Sequence, residues 1–414
     1  MQFIPRKLYF ELIDHLAQPE ISLILGPRQA GKTTIMKKIT EELRRQGRPV
    51  IYFDLDLIED RQFFPTQHTL IEKIQKTVGQ RKDLVVFIDE IQRLKNSGLF
   101  LKGLYDLQTN YKFIVSGSGS LELKSNIIEP MTGRKRLFYC YPLSFSEVAA
   151  YRLGVKFAEV EQRLSLNPFE RTRIVDEYLN FGGYPRVALA STYQEKIEIL
   201  REIFTSYLEK DIRLILGVEK EEAFAALVRI LANQVGNLVN RQELSSTLGI
   251  SEKSVKKYLF FLEKTFVVSL VKPFFSNVRR EIRKSPKIYF LDLGLLRLAK
   301  RLTTSQILPT SGEIFENACF LRLKELFLAN PPRFWRSTAG AEVDFVVDDP
   351  KTGQVVPIEV KSKGRGKTLG KSLISFLLKY NPKKTFIYTQ DQSKNFKRGK
   401  TEINYISYHK LLRF

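Results

Sequence analysis

Two groups of residues in this chain have the types and spacing that phosphate chemistry needs. Gly26-Pro27-Arg28-Gln29-Ala30-Gly31-Lys32-Thr33, followed by Thr34, fits G-x-x-x-x-G-K-[ST]. Glycines let the backbone fold round phosphates, and amides at the following helix N-terminus point at them. Lys32 would reach the β- and γ-phosphates of ATP, and the Thr33 hydroxyl would ligate Mg²⁺. The run Leu84-Val-Val-Phe-Ile-Asp-Glu90 is its natural second half. A buried strand would deliver Asp89 to hold Mg²⁺ through water, with Glu90 orienting or deprotonating the attacking water. A Glu in that place favours hydrolysis over nucleotide storage. Ser116 or Ser118, at the tip of the next strand, has the chemistry to sense a γ-phosphate; a plain Ser-Gly turn fits equally well. Arg134 is the candidate arginine for transition-state charge, in its own chain or across a homo-oligomer boundary, with Arg136 and Arg28 as alternatives.

The second group is Glu316, Asp344, Glu359, Val360 and Lys361. It resembles the PD-(D/E)XK nuclease core, as in Holliday-junction resolvases, with Val343 where a proline is usual before Asp344. Asp344 and Glu359, with the Val360 carbonyl, would hold Mg²⁺ against a scissile phosphate. Lys361 would position the water, and Glu316 would bind a second metal or orient a ligand. In an alternating strand Glu359 and Lys361 share one face, and Ile358 and Val360 point into the core.

Parallel strands with crossing helices must position the first group. Apolar strands over 21–25, 50–55, 84–89, 113–116 and 136–143 alternate with helices over 33–46, 69–78 and 99–108, the pattern of an α/β parallel sheet. A helical stretch runs from Ser144 to about residue 230, broken by Phe181-Gly-Gly-Tyr-Pro185. Asn240-Arg-Gln-Glu243 has the form of a capping box. The helix it opens runs to Leu248, Gly249 provides a turn, and Ser251 caps a second helix. Val255, Leu259 and Leu262 share one face of that second helix and Lys253, Lys256 and Lys257 lie elsewhere. With a strand over 266–273 and the basic run 279–287 as a wing, this reads as a winged helix-turn-helix. A helical hairpin for interdomain packing is the plainer alternative. Pro309-Thr-Ser-Gly312 is the expected linker to the last module.

The 414 residues suffice for two or three domains, and the balance of 67 Lys+Arg against 45 Asp+Glu leaves a formal charge of +22. From Lys351 to Lys400 there are 13 basic residues against Glu359 and Asp391, a balance of +11. From Lys272 to Lys287 six basic residues face Glu281, a balance of +5. Basic charge concentrated beside a candidate wing and a candidate phosphodiesterase site points to DNA as partner, through 251–287 and 351–400. Two cysteines and three histidines exclude a disulfide framework and a Cys/His zinc site. No apolar run is long enough for a membrane span, and the N-terminus has no leader-like pattern, so a cytoplasmic protein without membrane contact is expected.

Residues 20–145 resemble an AAA+-type P-loop ATPase, within a widespread bacterial and archaeal family. The matching stretches are Gly26–Thr34, Phe87–Gln92, Ser116–Ser118, Thr132–Arg134, Tyr141–Glu147, Gly182–Pro185 and Tyr207–Asp211. The resemblance implies a sheet of order 5-1-4-3-2, a helical lid, and a C-terminal region filed as a domain of unknown function. The expected layout is an ATPase domain over 1–145, a lid over 146–230, a winged helix over 231–305 and an α/β nuclease-like domain over 306–414. The reading is an ATP- and Mg²⁺-dependent, DNA-binding hydrolase with an attached nuclease-like domain, serving repair, recombination or mobile-element defence. The alternative is a nucleotide-dependent switch that binds DNA or protein and cuts nothing. Glu90 and the long appendages argue against a small-substrate kinase.

Overall fold

A computed structural model describes residues 3–79, 81, 83–119, 131–207, 221–274, 285–362, 369–390 and 392–410. Its contacts divide the chain into two units: Met1–Leu143 with Phe260–Val267, and Ser144–Leu259 with Val268–Phe414.

The first unit runs α1 (Lys7–Asp14), β1 (Ile21–Gly26), α2 (Lys32–Arg45), β2 (Val50–Asp54), α3 (Gln67–Val78), β3 (Val85–Asp89), α4 (Ser97–Asp106), β4 (Lys112–Ser118) and β5 (Lys135–Tyr139). All pairings are parallel, in the order β2-β3-β4-β1-β5. That is the expected 5-1-4-3-2 read from the other edge. Every residue of β1, β3 and β4 is buried, which is why these runs are mainly apolar, with Ser22, Asp89, Lys112, Ser116 and Ser118 as buried polar exceptions. Ile35, Met36, Ile39 and Leu43 of α2 share a core with Ile24, Val85, Phe87 and Ile114, each worth roughly 1.5–3 kcal/mol of burial. β5 ends at Tyr139 rather than Leu143. The Cys140 amide still bonds the Leu25 carbonyl at 2.8 Å, but Pro142 has no amide to continue a ladder.

In the second unit a helical run, α5 (Phe145–Leu153), α6 (Pro168–Phe181), α7 (Tyr193–Ser206) and α8 (Glu221–Asn233), replaces strands. Capping explains the pattern of residues 141–147. The Ser144 hydroxyl accepts from the Glu147 amide at 3.3 Å, and the Glu147 carboxylate accepts from the Ser144 amide at 2.9 Å. Gly182-Gly183 is a docking turn for a buried carboxylate. Asp292 accepts from the Gly183 amide at 2.8 Å, and a Cβ on Gly182, whose φ is +72, would lie 2.5 Å from both Asp292 carboxylate oxygens.

Next come α9 (Arg241–Leu248), α10 (Glu252–Lys264) and a ribbon of β6 (Val268–Val271) antiparallel to β7 (Lys287–Phe290). Asn240 caps α9 by accepting from the Gln242 and Glu243 amides. The reciprocal Glu243 bond of a capping box is absent among the described residues. Gly249 turns the chain at φ +61, the Ser251 hydroxyl accepts from the Ser254 amide at 3.1 Å, and Lys253, Lys256 and Lys257 are exposed while Val255 and Leu259 are buried. Residues 279–284 of the expected wing, and 208–211 of the family-like stretch 207–211, lie outside the described residues.

After α11 (Leu293–Ala299) and α12 (Gly312–Leu326), strands β8 (Arg333–Arg336), β9 (Glu342–Asp348), β10 (Val355–Lys361), β11 (Lys384–Thr389), β12 (Lys394–Arg398) and β13 (Thr401–Ser407) form a sheet of order β12-β13-β11-β10-β9-β8. Helix α13 (Lys371–Tyr380) packs Leu373, Phe376 and Leu377 against Trp335, Val343 and Val346. The expected linker at 309–312 is pinned rather than loose. Asn180 exchanges two hydrogen bonds with the Leu308 backbone, and the buried Arg297 guanidinium donates to the Leu179 carbonyl and the Thr310 hydroxyl.

Candidate functional site

The Gly26–Thr33 loop joins the C-terminal end of β1 to the N-terminus of α2. Gly31 sits there at φ +95 and Gln29 at φ +60, so the loop curls tightly before the helix begins. Packing alone demands the first glycine, because a Cβ on Gly26 would fall 2.1 Å from the Cys140 carbonyl oxygen. The Lys32 ammonium is buried and donates to the Gly26 and Pro27 carbonyls at 3.1 and 2.9 Å. No carboxylate lies within ion-pair distance of it among the described residues. Thr33 and Thr34 remain partly exposed beside it.

Asp89 ends β3 one strand from β1, with Ser116 of β4 between. It is almost fully buried; Tyr52 donates to its Oδ2 at 2.7 Å and Ser116 to its Oδ1. The Ser116 hydroxyl is therefore committed to the Asp89 carboxylate, rather than held free as the expected γ-phosphate sensor. Glu90 follows at φ +59, a left-handed conformation that is uncommon for a non-glycine residue and is found at functional sites. Burial pushes its carboxyl pKa up, against the pull of Lys32, with Asp89 adding to the rise. Gln92 clamps this carboxylate through Nε2 and accepts from the Ser118 amide at 3.1 Å through Oε1. The donor set of Lys32, Thr33 and Asp89 suits Mg²⁺-nucleotide.

Arg134 is elsewhere. Its carbonyl accepts from the Ile21 amide, and its guanidinium pairs with Asp106 at 2.7 Å. It thus marks the N-terminal end of β1, about 17 Å along that strand from the loop by the usual rise per residue. It cannot touch phosphates bound by its own chain. Arg136 pairs with Ser22 at the same end; Arg28 is in the loop itself. Sequence reasoning missed Arg6 and Tyr52. The buried Arg6 guanidinium donates to the Ala30 carbonyl at 2.6 Å and to the Tyr141 carbonyl at 2.5 Å. Neither residue belongs to a motif, so nothing short of the fold would have marked them.

The second group does converge. The β9–β10 register runs to Ile358 opposite Phe345, which brings Glu359 and Asp344 next to each other at the ladder's end. Lys361 donates to Glu359 Oε1 at 2.8 Å, and the Val360 amide donates to Asp344 Oδ2 at 2.7 Å. Val360 itself is half-buried while Glu359 is only 6% exposed. The expected inward Val360 is corrected: residues 356–359 are buried on both faces, but cover thins at the end of the strand, where Val360 is half-buried and Lys361 exposed. Glu359 Oε2 is buried with no hydrogen-bond partner. Glu316 of α12 accepts from the Tyr289 hydroxyl at 2.6 Å. Burial, then the charge on Asp344, raises the pKa of both Glu316 and Glu359.

One further residue belongs to this cluster. Lys287, the last residue of the expected wing, is buried on β7, with its ammonium 2.5 Å from Glu342 and 3.8 Å from Glu316. Burial pulls its pKa down, but Glu316, Glu342 and Asp344 together outweigh that and raise it. Among the described residues no three Asp, Glu, His or Cys side chains are grouped to hold a metal ion. As arranged, with the Lys287 ammonium among its carboxylates, the cluster does not fit the expected Mg²⁺.

Residues 18–149 match a family model described as AAA domain, while 172–306 and 311–410 match two families described as domains of unknown function. The first unit thus has the AAA-type P-loop fold that its sheet order indicates. The chain is 27% identical to an uncharacterized protein of Haemophilus influenzae, covering 72% of this chain and 73% of that one. It is 27% identical to one of Mycobacterium tuberculosis, with 84% and 71% covered, and 25% identical to one of Methanocaldococcus jannaschii, with 79% and 72% covered. Among solved structures it is similar to Cdc6p from Pyrobaculum aerophilum at 12% identity, covering 74% of this chain and 97% of that one, with a TM-score of 0.28. AMPPCP-bound DnaA from Aquifex aeolicus gives 14% identity, 63% and 90% coverage, and a TM-score of 0.27. No helix among the described residues is long and apolar enough to cross a membrane.

Proposed function

We propose that this protein binds and hydrolyses ATP with Mg²⁺ and uses the cycle to act on DNA. The observation that carries the hydrolytic half is the Lys32 ammonium buried in the loop, close enough for its charge to act on the Glu90 carboxyl. Backbone amides and Lys32 would bind the phosphates, Thr33 and Asp89 would hold Mg²⁺, which would supply charge neutralisation there, and Glu90 would take the proton of the attacking water. Burial raises its pKa, which makes the carboxylate a stronger base for that proton. Arg134, unable to reach its own loop, acts only on a neighbouring subunit if it acts at all. Loss of ATP hydrolysis on Lys32→Ala is the direct test; activity that survives that change rejects the P-loop assignment.

DNA contact is supported by the exposed lysines of α10 and by Lys351, Lys371, Lys383, Lys397, Arg398 and Lys400, all solvent-facing. Helix, turn, helix and antiparallel ribbon follow one another as in a winged helix, the element we assign to DNA. Glu316, Asp344, Glu359 and Lys361 are the residue types of a phosphodiesterase, and an Mg²⁺-dependent nuclease is the finer reading. Lys287 among the carboxylates favours the second reading, a nucleotide-dependent DNA switch that cuts nothing in this arrangement. Incubating wild type with Mg²⁺ and linear or branched DNA separates the two: nicking lost in Asp344→Ala and Lys361→Ala supports cleavage. Equal background in all three supports the switch.

A further inference from the structure

The carboxylate cluster already contains a cation. Lys287 is only 2% exposed, and its ammonium touches Glu342 at 2.5 Å while lying 3.8 Å from Glu316. Glu342 also faces Arg336 at 3.8 Å, and Glu359 is bonded to Lys361. A lysine this deeply buried is rare unless opposite charges surround it.

Its position is fixed from several sides. In β7, Lys287 and Tyr289 share a face by alternation, and both meet Glu316. Asn317, one residue along α12, accepts from the Phe290 amide at 2.7 Å and donates to the Phe290 carbonyl at 2.9 Å, like a neighbouring strand. On the other flank the Gly236 amide donates to the Ile288 carbonyl at 2.9 Å. Gly236, at φ +79, leaves room for Glu316: a Cβ there would sit 3.1 Å from Oε1. A solvated wing lysine needs none of this.

We propose that Lys287 is the resident cation of this cluster, taking the place of a divalent metal and closing the site to metal while β7 stays docked. A second cation beside the ammonium would be repelled, and Glu316 and Glu342 would have to leave a lysine that then lay buried without a partner. Glu359 Oε2, buried and unbonded, is the ligand atom such a metal would gain.

The test is Mn²⁺ titration of full-length, nucleotide-free and DNA-free protein, followed by the electron paramagnetic resonance signal of free Mn²⁺. Without DNA or nucleotide, failure here is distinct from failure of the DNA reading. Wild type should bind Mn²⁺ at least about tenfold more weakly than Lys287→Met. The gained site should vanish in Lys287→Met/Asp344→Asn, and Lys287→Arg should stay closed. Lys287→Gln/Glu342→Gln removes the ammonium with its nearest carboxylate, keeps the charge balance should the single variant not fold, and should also gain metal. Tight wild-type binding that Asp344→Asn abolishes would overturn the proposal, as would a folded Lys287 variant that gains none.

Discussion

The Tyr52 hydroxyl donates to Asp89 Oδ2 at 2.7 Å, tying the edge strand β2 to the carboxylate that ends β3. Asp89 is thus aimed by two hydroxyls, those of Tyr52 and Ser116. A hydrogen bond to a charged group is worth roughly 1.5–3 kcal/mol. Tyr52→Phe should therefore lower kcat for ATP hydrolysis about tenfold while leaving nucleotide affinity nearly unchanged. An unaltered kcat would show that Asp89 needs no such support.

Glu90→Gln should bind ATP as wild type does and hydrolyse it at least about a hundredfold more slowly, since a general base contributes roughly 10²–10⁴. Lys32→Ala should fail earlier, at binding. Filter binding of labelled ATP beside a phosphate-release assay distinguishes the two. Equal loss of binding in both variants would remove Glu90 from the chemical step.

Asp292 lets pH probe the turn at Gly182-Gly183. Burial raises its pKa from 3.8 to about 6, in spite of hydrogen bonds from the Gly183, Leu295 and Gly294 amides. A raised folded-state pKa means stability that is full below about pH 4 and is lost as pH climbs through 6. That rise corresponds to about 3 kcal/mol. Relative to Asp292→Asn, wild type should lose about that much stability between pH 4 and pH 7 by urea denaturation. A pH-independent difference between the two would contradict the buried, protonated carboxyl.

DNA binding through exposed lysines must weaken with salt. Each phosphate neutralised adds roughly 0.9 to the log–log slope on duplex DNA. Lys253→Ala/Lys257→Ala should reduce the slope by about 2 if both lysines of α10 touch phosphates. Fluorescence anisotropy between low and moderate salt measures it; an unchanged slope places the interface elsewhere.

How far the sequence reaches is clear residue by residue. The loop Gly26–Thr33 and the strand ending in Asp89 are legible because their chemistry is local, a backbone curl beside a helix and an apolar run ending in acid. The strand order comes with the family resemblance, and the parallel pairing bears it out. Asp344, Glu359 and Lys361 are legible from strand alternation, and the hairpin register brings them together. Val360 is not, because the cover over the strand thins at its end, which no period-two pattern reveals.

Charge is where sequence reading goes furthest astray. A lysine in a basic run looks solvated until the fold shows what faces it. Lys287 lies 29 residues before Glu316 and 55 before Glu342, and no local pattern links the three. Only the docking of β7 between α12, through Asn317, and the Gly236 turn on its other flank turns that lysine from surface charge into a buried counter-ion. Likewise only the parallel sheet puts Arg134 at the opposite end from the phosphate loop. The sequence determined which chemistry each segment carries. Tertiary structure decided which of those charges meet, because ion pairing depends on distance in space and not along the chain.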